Sequence, residues 1–283
     1  MKAKNLYKQL DNDFIKPNLT DNWLRYMPEL AAYICDSFKI PNRNMGIMCD
    51  FTETINHVYT AVFPSESVLQ KISENAEKAL LFVHHAAIWN LEKSPKGFYN
   101  MNIALLEKLK NRQIAIYCLH NPLDNFSEYS TSKTLADALN IEIIKPFAEH
   151  NGGLCGVIGK TNCRTVKELQ GKFSEIVGHK TKFYQYGDSE ILGNVAICAG
   201  GGNDIFVVED MLKNGVKTLI TGISVKNEFS AAVHEFEEKN QINVLGGTHY
   251  STEKFACLAM CGYFEKLGIS AEFVEDLPNL TDI

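Results

Sequence analysis

The sequence predicts an α/β protein of two similar halves, each a mixed β-sheet flanked by helices. Three observations carry that prediction. From residue 45 onward, short apolar runs rich in β-branched and aromatic residues alternate with amphipathic stretches. Strands separated by helical segments give a parallel or mixed sheet covered by helices. A Pro/Gly cluster, PFAEHNGG (146–153), then interrupts the pattern, and beyond it the same alternation starts again.

The elements follow in order. Residues 1–44 read as mostly helical; in MPELAAYICDSF, Leu30, Ile34 and Phe38 recur one turn apart, the stripe of a packing helix. MGIMCDF (45–51) and INHVYTAVF (55–63) are strand-like. Pro64 leads into SESVLQKISENAEKA, where Ser67 and Gln70 have capping-box spacing and Val68, Leu69 and Ile72 open an apolar face. ALLFV (79–83) and IAIYCL (114–119) are short apolar strands, with helices expected around 102–110 and 130–139. After the break come the strand LCGVIG, the helix TVKELQGKFSEIV, and the strands KFYQY and NVAICAG. The helix DIFVVEDMLKNG, the strand KTLITG, a helix over about 227–239 and the strand INVLGG follow. A helix over about 251–267 and the strand ISAEFV close the chain. The two halves match in composition, without a residue-level repeat.

Composition narrows the function classes. With 283 residues the chain has room for one large or two ordinary cores. Its 34 acidic against 28 basic residues give a net charge of −6, which argues against nucleic acid or a membrane surface as partner. No apolar run is long enough to span a bilayer, and MKAKNLYKQLDNDF lacks the apolar core of a secretory signal. The eight cysteines form no C-x-x-C pair and sit mostly in apolar runs. Reduced thiols in the cytoplasm are therefore expected rather than a disulfide framework.

Three strand ends offer metal-ligating groups. In LFVHHAAIWN, His84 and His85 follow a strand, the edge where open α/β sheets bind ligands. One buried and one exposed ring would be the structural alternative, since neighbours on a strand point to opposite sides. In IAIYCLHNPLDN, His120 is followed by Asp124, which can aim back at the strand ends or serve as the N-cap of the next helix. In NVLGGTHYSTEKFA, His249 precedes Glu253 by four. That spacing puts imidazole and carboxylate on one helix face, although Ser251 or Thr252 can cap the helix and Glu253 merely face its dipole. Each stretch is ambiguous alone. Together they place nitrogen and carboxylate donors at the same end of three strands, which separate cap roles would not predict. His84, His85, Asp124, His249 and Glu253 are too many ligands for one zinc and suit two neighbouring ions.

The chain resembles the Nif-three-like family, the GTP cyclohydrolase 1 type 2 homologues. The likeness rests on FVHHAAIW, YCLHNPLD and GTHYSTE, on their order and separation, and on the interposed VAICAGGGND and TLITG, and it covers nearly everything from residue 45. It implies a dinuclear centre held by His84, His85, Asp124, His249 and Glu253; His120 matches the family's other histidine and reads as a group of the inner cavity or behind the ligands, a candidate for proton transfer in a hydrolase. It also implies two α/β lobes: residues 1–148 and 149–245, with 246–283 returning to complete the first lobe. A toroidal homohexamer and a small-molecule substrate are implied too. Two departures stand out. Ala86–Ala87 replace the family's Pro–Leu. ISVKNEFS after Gly222 replaces a basic, histidine-bearing stretch, which removes a proton donor or phosphate contact.

The chemistry expected of such a centre is hydrolysis of a nucleotide or phosphoester-like substrate, assisted by two divalent ions: zinc, manganese, iron or nickel. The competing expectation is a protein that stores, delivers or senses metal, or binds a partner, without turnover. AGGGND (199–204) can act as an anion loop before a helix, but it lacks a P-loop lysine and reads better as a tight strand-to-helix turn. Cys257 and Cys261 share a helix face with Glu253 and fit core packing better than ligation.

Overall fold

The structure is a computed structural model describing residues 1–94, 97–190 and 193–283. Helix α1 (Ala3–Phe14) is followed by strands β1 (Gly46–Cys49) and β2 (His57–Ala61), helix α2 (Glu66–Asn75) and strand β3 (Ala79–Val83). The short pair β4 (Ile88–Trp89) and β5 (Phe98–Tyr99), helix α3 (Ile103–Asn111), strand β6 (Ile114–Cys118) and the one-turn helix α4 (Asn121–Asp124) come next. Then come α5 (Thr131–Ala138), β7 (Glu142–His150), β8 (Gly153–Lys160), α6 (Val166–Val177), β9 (Lys182–Tyr184) and β10 (Val195–Cys198). The chain ends with α7 (Ile205–Lys213), β11 (Thr218–Thr221), α8 (Ala231–Lys239), β12 (Asn243–Gly246), α9 (His249–Lys266) and β13 (Ala271–Phe273). It divides into two compact units: Met1–Leu123 with Asn151–Gly153 and Cys257–Leu277, and Asp124–His150 with Leu154–Ala256 and Pro278–Ile283.

The first unit is built on the sheet β1-β6-β3-β2-β13, parallel throughout except for β1 against β6. β3 and β6 are buried along their whole length, which is why they read as unbroken apolar runs rather than alternating ones. Leu69 and Ile72 of α2, Leu106 and Leu109 of α3, and Met27, Leu30, Ile34 and Phe38 form its main core. Phe82 also meets Phe264 of α9 edge-on, with ring centres 5.6 Å apart. The last strand, β13, returns the chain to the edge beside β2.

The helix expected over 27–38 does not form. Two 3-10 turns (Leu24–Tyr26 and Pro28–Leu30) and further turns take its place, while Leu30, Ile34 and Phe38 still reach the core. Long-range bonds account for this. Cys35 N–H donates to Met48 O (2.8 Å), and buried Asn44 accepts from Trp23 N–H (2.8 Å) and donates to Phe38 O (2.6 Å). These hold the backbone in a path that a helical i to i−4 ladder would forbid. A second difference is at α2, whose N-cap is Ser65 (accepting from Val68 N–H at 3.3 Å); Ser67 donates instead to Asp276. Ser65→Ala is expected to cost about 1 kcal/mol in urea unfolding. Ser67→Ala should cost less, because its bond is exposed; equal losses would refute this assignment of the cap.

The second unit is built on β7-β8-β10-β11-β12-β9, in which β10, β11 and β12 run parallel and β8 and β9 flank them antiparallel. Helices cover both faces. Leu135, Leu169, Phe173 and Val177 lie on one core, and Val207, Met211, Val233 and Ile242 on another. The PFAEHNGG stretch is the end of β7 and a two-residue turn to β8, with Asn151 (φ 48°) and Gly152 (φ 86°) in the left-handed region. An Asn-Gly turn of this kind matches the twist of paired strands. Each unit is thus a mixed sheet flanked by helices, the predicted class.

Candidate metal centre

His84 and His85 leave the end of β3 with their backbone still held by β2: His84 N–H donates to Ala61 O (3.1 Å) and His85 N–H to Val62 O (2.9 Å). Both rings are buried, at 0% and 1% exposure, so the alternative of one exposed ring does not hold. His84 Nδ1 lies 3.0 Å from Leu119 O. A carbonyl oxygen only accepts, so in the neutral ring Nδ1 carries the proton and Nε2 the lone pair. His85 stacks on Phe63 (4.6 Å, 19°) and meets the edge of Trp23 (5.5 Å, 80°).

His120 follows β6 and completes a triplet in which ligand nitrogens of His84, His85 and His120 all lie within 4.8 Å of one another. Its Nδ1 is 3.2 Å from both carboxylate oxygens of buried Asp21, and Trp23 packs edge-on against the ring at 4.8 Å. Asp21 also accepts from Asn121 N–H (3.0 Å). A carboxylate behind an imidazole fixes its orientation and raises the basicity of the far nitrogen. Nothing local in the sequence marks Asp21, which lies 99 residues from His120. Asp21→Ala leaves a buried amide N–H without its acceptor and should cost about 1–3 kcal/mol in thermal or urea unfolding. Asp21→Asn, which keeps an acceptor oxygen, should cost clearly less; the reverse order would overturn this role.

In the second unit, α9 begins at His249. Its cap is Thr248, not Ser251 or Thr252: Ser251 N–H donates to Thr248 Oγ1 (3.1 Å) and Thr248 N–H to Ser251 Oγ (3.0 Å), a reciprocal capping box. His249 N–H donates to the buried carboxylate of Asp282 (2.9 Å), a partner the sequence did not signal. His249 Nε2 and Glu253 Oε1, both buried, are 3.2 Å apart across one turn. Asp124, half-buried at the end of α4, accepts from Thr131 Oγ1 (2.8 Å), while the N-cap of α5 is Ser130. The buried Cys198 thiol is pushed well above its ordinary range by its contact with Cys155, by burial, and by the carboxylates of Asp124 and Glu253. A carboxylate oxygen of Asp124 and one of Glu253 lie within 4.8 Å of each other.

The AGGGND segment is a tight turn, as expected, but one pressed against His249 and Glu253. Gly200 N–H donates to Thr252 Oγ1 (3.0 Å), and its carbonyl accepts from Gly222 N–H (3.0 Å) and Ile223 N–H (2.9 Å). Cys257 and Cys261 are packing residues: Cys257 donates to Ala61 O (3.3 Å), and Cys261 lies 3.2 Å from Thr60 Oγ1.

Mixed sheets carrying buried imidazoles and carboxylates at their strand ends define an α/β protein with groups competent to bind a metal ion. The chain belongs to the Duf34/NIF3 (NGG1p interacting factor 3) family, whose model matches residues 33–276. Among its relatives, a protein of Pyrococcus horikoshii named GTP cyclohydrolase 1 type 2 homolog is 27% identical over 238 residues, covering 82% of this chain and 88% of the relative. A namesake from Pyrococcus abyssi is 28% identical over 253 residues, covering 87% and 94%. Two solved structures share the fold. Protein ybgI, described as of unknown function, has a TM-score of 0.74 at 22% identity, covering 99% of each chain. Reduced HcgD from Methanocaldococcus jannaschii has a TM-score of 0.65 at 19% identity, covering 98% of each. Among the described residues, no helix is long and apolar enough to cross a membrane.

Proposed function

We propose that this chain is a dinuclear-metal protein acting as a metal-dependent hydrolase on a small nucleotide or phosphoester-like substrate. The observation that carries the reading is the anchored histidine set: Nδ1 of His84 faces a carbonyl and Nδ1 of His120 a carboxylate, so both rings present Nε2 as the basic nitrogen. His84, His85, Asp124, His249 and Glu253 would hold two divalent ions. This donor set of imidazole and carboxylate without thiolate suits zinc, manganese, iron or nickel.

Two such ions supply Lewis acidity to a substrate oxygen and make water nucleophilic at neutral pH. The residues do the rest. His120 holds and transfers a proton at Nε2 while Asp21 fixes its ring through Nδ1. Trp23, Phe63 and Phe98 wall the imidazoles and exclude bulk water. The name carried by the Pyrococcus relatives makes GTP the first substrate to test. We place the protein in the cytoplasm, where its eight free thiols stay reduced, and as a homohexamer by family resemblance, which sedimentation would check.

The experiment loads purified protein with each metal, measures ions per chain by elemental analysis, and assays GTP, other nucleotides and a chromogenic phosphodiester. Two ions per chain and turnover abolished by His84→Ala in a folded protein are expected. A chain that binds no metal after loading would end this reading. Metal binding without turnover on any substrate would favour a protein that stores or delivers metal.

A further inference from the structure

Cys155 and Cys198 stand on the neighbouring antiparallel strands β8 and β10 with their sulfurs 3.8 Å apart. Their backbones are already strapped together: Ser132 Oγ donates to Cys155 O (2.6 Å) and accepts from Ala199 N–H (3.1 Å). Gly202 closes the other side, since a Cβ there would come within 2.7 Å of Cys198 Sγ. The two thiols differ in access. Cys198 is buried, whereas Cys155 is half-buried next to exposed Leu154 on β8. Two residues beyond Cys198, Gly200 is packed on the ligand pair; a Cβ on it would lie 2.0 Å from Glu253 Oε1.

We propose that Cys155 and Cys198 are a peroxide-sensitive dithiol that closes to a disulfide and, through Ala199 and Gly200, displaces the Glu253 carboxylate. Cys155 is the attacking thiol because it is the one a small oxidant reaches. Its sulfur forms a bond to one peroxide oxygen, the O–O bond breaks, and the first water leaves, giving a sulfenic acid. Cys198 Sγ then attacks that sulfur. The S–S bond forms, the S–O bond breaks, and hydroxide leaves with the Cys198 proton as the second water. Two thiols lose two electrons and two protons, and one hydrogen peroxide becomes two waters. Closure draws the sulfurs from 3.8 Å to about 2 Å. β8 and β10 are held by ladder bonds, so the short segment leading to Gly200 takes up much of the movement.

The disulfide stands independently of the proposed function; its effect on Glu253 rests on that reading. The test treats the reduced full-length chain with hydrogen peroxide, blocks remaining thiols with iodoacetamide, and maps peptides without reductant. A Cys155–Cys198 linked pair that dithiothreitol reverses, and that is lost in Cys155→Ser and in Cys155→Ala, is the expected result. Alkylation of both residues after oxidation, or linkage of other cysteines instead, would overturn the proposal. In parallel, zinc affinity is read by competition with a chromophoric chelator. It should weaken about tenfold on oxidation of the natural chain and stay constant in the Cys155 variants. Disulfide formation with unchanged zinc affinity would refute the displacement of Glu253. If the reduced chain binds no zinc, the metal reading fails while the peptide map still decides the thiol pair.

Discussion

On the proposed metal reading, His85→Ala is expected to give a folded protein that has lost bound metal. Outer partners of metal ligands typically contribute 10- to 100-fold in affinity, so removal of a ligand itself should weaken binding by about 100-fold or more. The variant keeps the backbone bond from residue 85 N–H to Val62 O, which needs no side chain. It loses the stack on Phe63 and the edge contact with Trp23, leaving a cavity in a fully buried place. That cavity should cost roughly 2–4 kcal/mol, which a protein of this size can bear. Elemental analysis and chelator competition read the metal, and a melting curve reads the fold. A folded variant with unchanged stoichiometry and affinity would remove His85 from the ligand set.

Gly200→Ala is the second large effect, acting on both stability and the His249–Glu253 pair. Gly200 has φ +64°, a left-handed conformation that costs an L-residue about 1–2 kcal/mol. An added Cβ would sit 2.0 Å from Glu253 Oε1 and 3.1 Å from His249 Cδ2. The loop cannot easily retreat, because Gly200 is bonded through both its N–H and its carbonyl to Thr252, Gly222 and Ile223. Strain and clash together should lower stability by about 2–4 kcal/mol and push the carboxylate out of place. Gly201→Ala is the control. The nearest atom to its Cβ is 3.9 Å away, so its loss should stay within about 0.5 kcal/mol. Equal effects at the two glycines would show that the loop tolerates a side chain where it meets Glu253.

Much of the local structure was legible. The apolar runs at 79–83 and 114–119 are central strands, and the helix bearing His249 and Glu253 does place them on one face. The errors share one cause. Leu30, Ile34 and Phe38 have helical spacing and are buried, but the bonds from Asn44 to Phe38 O and from Cys35 N–H to Met48 O outcompete the helix. Ser67 has the spacing of a cap, yet Ser65 performs it because Ser67 is drawn to Asp276, 209 residues away.

The sequence by itself determined the α/β class, the order of the strands and helices, and which donors stand at strand ends. Those follow from side-chain periodicity and turn chemistry, which act over a few residues. Only the tertiary structure decided that Asp21 backs His120, that Asp282 holds His249 N–H, and that Gly200 bears on Glu253. Each of these is a contact between residues far apart in the chain. Its energy depends on how the sheets pack, and no local pattern encodes it.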